Sequence, residues 1–264
     1  AAEAVSRVVE SSHPAFARGD LVAAHSGWQS MSVIVGDEAR KIPSDVEPAS
    51  LFLGILGMPG LTAYAGLLRL GKPKAGDVVV VSAASGAVGS MVGQIAKIMG
   101  CTVVGIAGSD DKRAWVTKVA GMDHCINYKT EDLREQLKAC CPNGIDVYFD
   151  NVGGDMLQAV MEQLAIGARI VLCGLMSQYN VDDMPPGPNP AWIIKARATV
   201  RGMVVYDHED LRDDFLNDAT QWLQDGRIQF IEDVTVGLEN APKAFSRLMR
   251  GENHGKAIVQ VGSP

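Results

Sequence analysis

The chain has 264 residues, of which 47% are hydrophobic and 21% charged, and its net charge is −7. That length holds one large domain or two ordinary ones, with a core that needs no disulfide or metal staple, and the composition excludes disorder. The negative charge argues against nucleic acid or an anionic membrane as the main partner, and no apolar run reaches the roughly 18 residues of a membrane span.

In chain order, residues 1–50 read as β structure. Strands are predicted at Val5–Val9, Asp20–Ala24 and Met31–Val35, separated by Gly, His-Pro and Ser turns. This is a small antiparallel unit, too short to be stable alone. The chain opens AAEAVSRVVES without an initiator Met and runs straight into a strand-like pattern, as though entered partway through a domain. From Ala49 the stretch ASLFLGILGMPGLTAYAGLLRLG has apolar residues at helical spacing, so two short helices are predicted, broken at Met58-Pro59-Gly60.

From Asp77 onward, apolar runs alternate with longer helical stretches. Strands are predicted at Asp77–Ser82, Thr102–Ala107, His124–Asn127, Ile145–Asp150, Ala168–Cys173 and Thr199–Val205. Crossover helices are predicted at Ala87–Met99, Ser109–Ala120, Asp132–Cys140 and Asp155–Leu164. The strands show little alternation of period two, as expected of parallel strands buried on both faces, and the order implies a doubly wound α/β sheet. A helix at Asp210–Asp225, a strand at Ile231–Val236, a helix at Asn240–Arg250 and a strand at Ala257–Val261 complete the chain.

The first of these parallel strands runs into AASGAVGSMVGQIAKIMG, where Ala84, Gly86 and Gly89 occupy the positions of a G-x-G-x-x-G/A turn. Small residues let the backbone approach a pyrophosphate, and the helix that follows points its N-terminal amides at the phosphates. A turn that uses glycine only for packing would share the pattern; the surrounding strand–helix series favours the dinucleotide. The second strand ends Ala107-Gly108-Ser109 with no acid at its tip, and Lys112 follows. A cation in place of an anion suits a 2′-phosphate, so NADP(H) is the expected cofactor; a solvated surface role for Lys112 is the alternative. Asp110 and Asp111 stand against this choice, but at the start of a helix they read as capping residues.

No chain-local metal scheme is supported. The five cysteines (101, 125, 140, 141, 173) form no CxxC pair, Met58 stands before the TAYAG helix with no Cys there, and a metal held by a preceding segment stays open on composition. The scattered thiols read as reduced, in a cytoplasmic protein. None of Tyr64, Tyr128, Tyr148, Tyr179 or Tyr206 has a Lys four residues later, so the short-chain Tyr-x-x-x-Lys pair is absent. Direct hydride transfer remains, helped by a hydroxyl near a carbonyl oxygen.

These motifs together resemble the zinc-free branch of the medium-chain dehydrogenases/reductases, the group of the prostaglandin reductases, plant alkenal double-bond reductases and bacterial NADPH-dependent curcumin reductases. The carrying stretches include GMPGLTAYAGLL (57–68), AASGAVGSMVGQIAK (83–97), NYK (127–129), DNVGG (150–154), CGLMSQYN (173–180), PPGP (185–188) and GENHGKAIVQV (251–261). The resemblance spans essentially the whole chain. It implies a Rossmann sheet at 47–227 between a partial GroES-like β domain at 1–46 and a carboxy-terminal return to it at 228–264. It also implies reduction of the C=C bond of an α,β-unsaturated ketone or aldehyde, with a small-molecule substrate and a homodimer as the expected assembly.

Position by position, the resemblance places Ala87, Val88, Gly89 and Ser90 at the pyrophosphate, and Lys112 with Tyr128 at the 2′-phosphate. Asn151, the loop Cys173–Tyr179 with Gly174, the backbone Met203, Val204 and Val205, and Asn253 are placed as further cofactor contacts. His254 stands where the family has an apolar residue. Tyr179 is the expected catalytic hydroxyl, stabilising the enolate oxygen together with the nicotinamide-ribose hydroxyl; a packing role is its alternative. The family's first strands, which shape the substrate pocket, have no counterpart in the 264 residues. Rival expectations are an NADPH-dependent quinone oxidoreductase and a truncated chain that binds NADPH without turnover.

Overall fold

The fold was analysed in a computed structural model that describes residues 2–262. Three strands open the chain, β1 (Glu3–Arg7), β2 (Leu21–His25) and β3 (Arg40–Lys41), paired antiparallel in that order. β2 buries Val22, Ala23 and Ala24. The predicted strand Met31–Val35 does not form: Met31 is 72% exposed and Val33 fully so, and an apolar run with nothing to bury against gains nothing from a ladder.

The apolar stretch from Ala49 forms a 3-10 turn at Ala49–Leu53 and then α1 (Met58–Tyr64), which continues as a π-helical segment at Ala65–Gly71. Met58-Pro59 therefore starts a helix: Pro59 stands in the first turn, where no amide donor is required.

The centre is a six-stranded parallel sheet in the order β6-β5-β4-β7-β8-β9. Its strands are β4 (Val78–Val81), β5 (Thr102–Ala107), β6 (His124–Asn127), β7 (Ile145–Asp150), β8 (Leu164–Leu172) and β9 (Thr199–Gly202). The helices α2 (Ala87–Ile98), α3 (Asp110–Lys118), α4 (Leu133–Cys140), α5 (Gly154–Met161) and α6 (Ala191–Ala196) link them. Neighbouring residues feed opposite cores: Val103 and Val147 pack with Met91, Ile95 and Phe215, whereas Val104 and Tyr148 pack with Leu137, Val160 and Ile170. Burial on both faces is why these strands lack alternation. The predicted helix ending at Leu164 stops at Met161, because Leu164 already pairs with Ile145 as the first residue of β8.

The chain closes with α7 (Arg212–Gln224), β10 (Glu232–Val236), α8 (Ala241–Met249) and β11 (Lys256–Gln260), where β10 and β11 form a parallel pair. From β4 the sheet grows outward through β5 and β6, then restarts at β7 on the other side. That reversal opens a crevice beyond the carboxyl ends of β4 and β7, the place where doubly wound sheets bind ligands.

Candidate active site

One wall of the crevice is the turn after β4. Ala83 takes a left-handed φ of 50°, and the Ala84 amide bonds the Ile106 carbonyl at 3.0 Å, pinning the turn to β5. Gly86 precedes α2 with no side chain capping its amides. The first-turn donors are left for a ligand, reinforced by the positive end of the helix. Gly89 is buried against the Ala83 carbonyl, and a methyl group there would overlap it. The turn thus brings Ala87, Val88, Gly89 and Ser90 together at the crevice mouth.

At the tip of β5, Gly108 leads to Ser109, whose hydroxyl caps α3 by accepting from the Lys112 amide at 3.4 Å. Capping falls to Ser109; Asp110 instead accepts from the Asn127 side chain at 3.0 Å. Tyr128 and Lys129 crowd this tip: a Cβ on Gly108 would lie 3.3 Å from both the Tyr128 hydroxyl and Lys129 Cε. Burial, and then the neighbouring Lys129 charge, lower the Lys112 pKa. Two ammonium groups and a phenol at a strand tip without a terminal acid fit a phosphate on the adenine ribose. Lys129 is a residue the sequence reading missed, although it follows Tyr128 directly in NYK.

The crevice floor is made by the ends of β4 and β7. The Ser82 hydroxyl donates to Asp150 Oδ1 at 3.1 Å and accepts from the Asn151 amide at 2.8 Å, while Asn151 Nδ2 donates to the Ser82 carbonyl at 2.8 Å. The Asp150 carbonyl accepts from the amides of Cys173 and Gly174 at 2.8 and 3.1 Å, which carries the loop after β8 into the same place. Tyr179 is 60% exposed on that loop, and its hydroxyl is 3.5 Å from where a Gly174 Cβ would stand. Asn151, Gly174 and Tyr179 therefore share one wall. Burial, and then Asp150, push the Cys173 thiol up to about 11, so it stays a neutral lining group.

The Met203 amide extends the β8–β9 pairing by bonding the Leu172 carbonyl at 2.8 Å; Met203 and Val205 are buried and Val204 is exposed. The end of α8 and the segment after it reach both ends of the crevice. Lys112 Nζ donates to the Gly251 carbonyl at 2.6 Å, and Asn180 Nδ2 donates to the Met249 carbonyl at 3.1 Å. Asn253 Nδ2 is turned to the Gly255 carbonyl at 2.8 Å. Of the other tyrosines, Tyr64 is buried with its hydroxyl 2.7 Å from Asp218 Oδ2, and Tyr206 is exposed. Among the described residues, no group of three or more His, Cys, Asp or Glu side chains is placed to hold a metal ion.

The family model for zinc-binding dehydrogenases matches residues 87–223. Prostaglandin reductase 1 of Bos taurus is 49% identical over 98% of this chain and 80% of its own length. The chain belongs to the medium-chain dehydrogenase/reductase family. Within it, the group is that of the prostaglandin, alkenal and curcumin reductases: the NADPH-dependent curcumin reductase of Escherichia coli (strain K12) is 44% identical over 97% of this chain and 76% of its own length. The crystal structure of CurA from Vibrio vulnificus in complex with NADPH superposes with a TM-score of 0.94, at 45% identity, covering 99% of this chain and 80% of that one.

Proposed function

We propose that this member of the family is an NADPH-dependent reductase of the C=C bond of α,β-unsaturated ketones and aldehydes. The observation that carries the reading is the crevice itself. An uncapped helix end and a two-lysine phosphate tip stand at one side, and a half-exposed tyrosine hydroxyl stands at the other. Relatives named as NADPH-dependent curcumin reductase and prostaglandin reductase, and a neighbour solved with NADPH, support the same assignment.

Bound NADPH supplies a hydride to the substrate β-carbon. The amides of Ala87, Val88, Gly89 and Ser90 hold the pyrophosphate, and Lys112, Tyr128 and Lys129 hold the 2′-phosphate. Asn151, Cys173, Gly174, Met203, Val204 and Val205 border the nicotinamide end, and Asn253 contributes from the carboxy-terminal segment. Tyr179 donates a hydrogen bond to the carbonyl oxygen as negative charge builds there and then protonates that oxygen, giving the enol, which tautomerises with a proton at the α-carbon to the saturated carbonyl compound.

The edge strand β9 supports a homodimer. Thr199–Gly202 is exposed along its whole length, and Ile194 and Val200 add apolar surface beside it. Five cysteines, none in a disulfide, support a cytoplasmic location. Loss of NADPH absorbance over a panel of enones, quinones and curcumin tests the activity. Turnover on enones and curcumin is expected, and turnover on quinones alone overturns the assignment. Sedimentation velocity tests the dimer, which a monomer at micromolar concentration overturns.

A further inference from the structure

Asp150 carries more than a loop needs. It is fully buried at the end of β7, and no basic side chain pairs with it among the described residues. Its Oδ1 accepts from the Ser82 hydroxyl at 3.1 Å, the Tyr148 hydroxyl at 2.8 Å, and the amides of Val152 and Gly153 at 3.0 Å each. Oδ2 is equally shielded and meets no donor among the described residues. A neutral Asn or Ser would satisfy those two amides, as such residues do before helices in general. A buried carboxylate is costly unless strong donors compensate it. What an acceptor oxygen there adds is direction: the Tyr148 proton points at Oδ1, 2.8 Å away, and the Ser82 proton has Oδ1 at 3.1 Å as a nearer acceptor than the Phe149 carbonyl at 3.5 Å. The Ser82 oxygen is then left as an acceptor, and the Asn151 amide occupies it.

The consequence falls on Asn151. The Ser82 carbonyl can only accept, so Asn151 turns its side-chain nitrogen inward to it. The side-chain oxygen of Asn151 remains for a ligand that donates, and the carboxamide of a nicotinamide ring is such a group. The main-chain carbonyl of Asp150 at the same time anchors Cys173 and Gly174. We propose that Asp150 is a positioning residue for the nicotinamide end of the site, acting through Ser82 on Asn151 and through its own carbonyl on the Cys173–Gly174 turn. This rests on the cofactor reading above.

The test compares the wild type with Asp150→Asn and Ser82→Ala, both of which keep the fold's volume. Asp150→Asn keeps one acceptor oxygen, removes the carboxylate and sets an amide donor beside the Ser82 and Tyr148 hydroxyls, which weakens the relay; Ser82→Ala removes it. Three quantities are measured: NADPH affinity by tryptophan quenching, the anisotropy of bound nicotinamide fluorescence, and kcat on an enone.

In both variants NADPH affinity is expected to change by less than about threefold, because the phosphate contacts lie elsewhere, whereas kcat falls about tenfold to a hundredfold and the anisotropy drops toward that of free cofactor. Unchanged anisotropy and kcat in a folded Asp150→Asn protein overturn the proposal. So does a loss of kcat that follows NADPH affinity or melting temperature, the signature of a merely structural role. If Asp150→Asn does not fold, wild-type anisotropy in Ser82→Ala overturns it. A wild type that binds NADPH but reduces no enone sinks the functional reading alone, because the anisotropy still decides the role of Asp150.

Discussion

The Lys112 ammonium donates to the carbonyl oxygen of Gly251 at 2.6 Å, joining the first turn of α3 to the segment that follows α8. Asn180, next to Tyr179, holds the end of α8 just before that segment, through the Met249 carbonyl at 3.1 Å. Residues at the two ends of the crevice thus share one strap. The phosphate end and the hydroxyl end are held at a set spacing although about 70 residues separate them in sequence.

Lys112 is desolvated and stands beside Lys129, so its charge is strongly felt by a phosphate. Lys112→Ala is expected to weaken NADPH about tenfold to a hundredfold while leaving NADH almost unaffected. Parallel fluorescence titrations with the two nucleotides check it, and equal losses for both would contradict a 2′-phosphate role.

Tyr179→Phe is expected to lower kcat by roughly a hundredfold with NADPH affinity retained, since only a hydroxyl aimed at the developing oxyanion is removed. Tyr64→Phe serves as its contrast. That change removes the bond to Asp218 and is expected to cost about 1 kcal/mol of stability with kcat unchanged. Steady-state kinetics and urea unfolding of both variants separate the two tyrosines.

Gly89 lies where any side chain meets the Ala83 carbonyl. Gly89→Ala must push α2 away from the turn, and the expected cost is about 1–3 kcal/mol together with loss of tight NADPH binding. Chemical denaturation with and without NADPH measures both effects, and the stabilisation that NADPH confers on the wild type should disappear.

Burial raises the thiols of Cys125 and Cys141 from 9.0 to about 12, and those of Cys101 and Cys173 to about 11. Between those values the unfolded chain has lost protons that the folded chain retains, so stability falls as pH rises. The contribution is whole below pH 9.0 and is progressively lost up to about 11–12. Urea midpoints should decline across that window, and Cys125→Val should make the decline shallower. A midpoint that is level from pH 9.0 to about 11 would show that these thiols are not buried as described.

The parallel sheet was legible in the sequence because it depends on local properties. Runs such as Thr102–Ala107 and Ile145–Asp150 are mostly apolar with little alternation, and the structure has them as β5 and β7 with the same bounds. The turn from Ser82 to Ser90 was legible for the same reason: small residues between a strand and a helix leave few conformations open. Met31–Val35 has the pattern of a strand, and its position, where none of the described residues covers it, denies it one.

The site divides along the same line. The turn of Ala84, Gly86 and Gly89 and the place of Lys112 follow from spacing, and Ala87 to Ser90 from the family resemblance, whereas Lys129, Asn180 and the linkage of Ser82 to Asp150 follow from neither. Ser82 and Asp150 stand 68 positions apart, and they meet because β4 and β7 are neighbours in a sheet whose order reverses between them. Periodicity records how each residue is buried, and this chain's sequence determined its elements and its phosphate turn in that way. Which strand ends meet, and hence which hydrogen bonds orient Asn151 and anchor the loop that carries Tyr179, was decided only when the sheet closed its order.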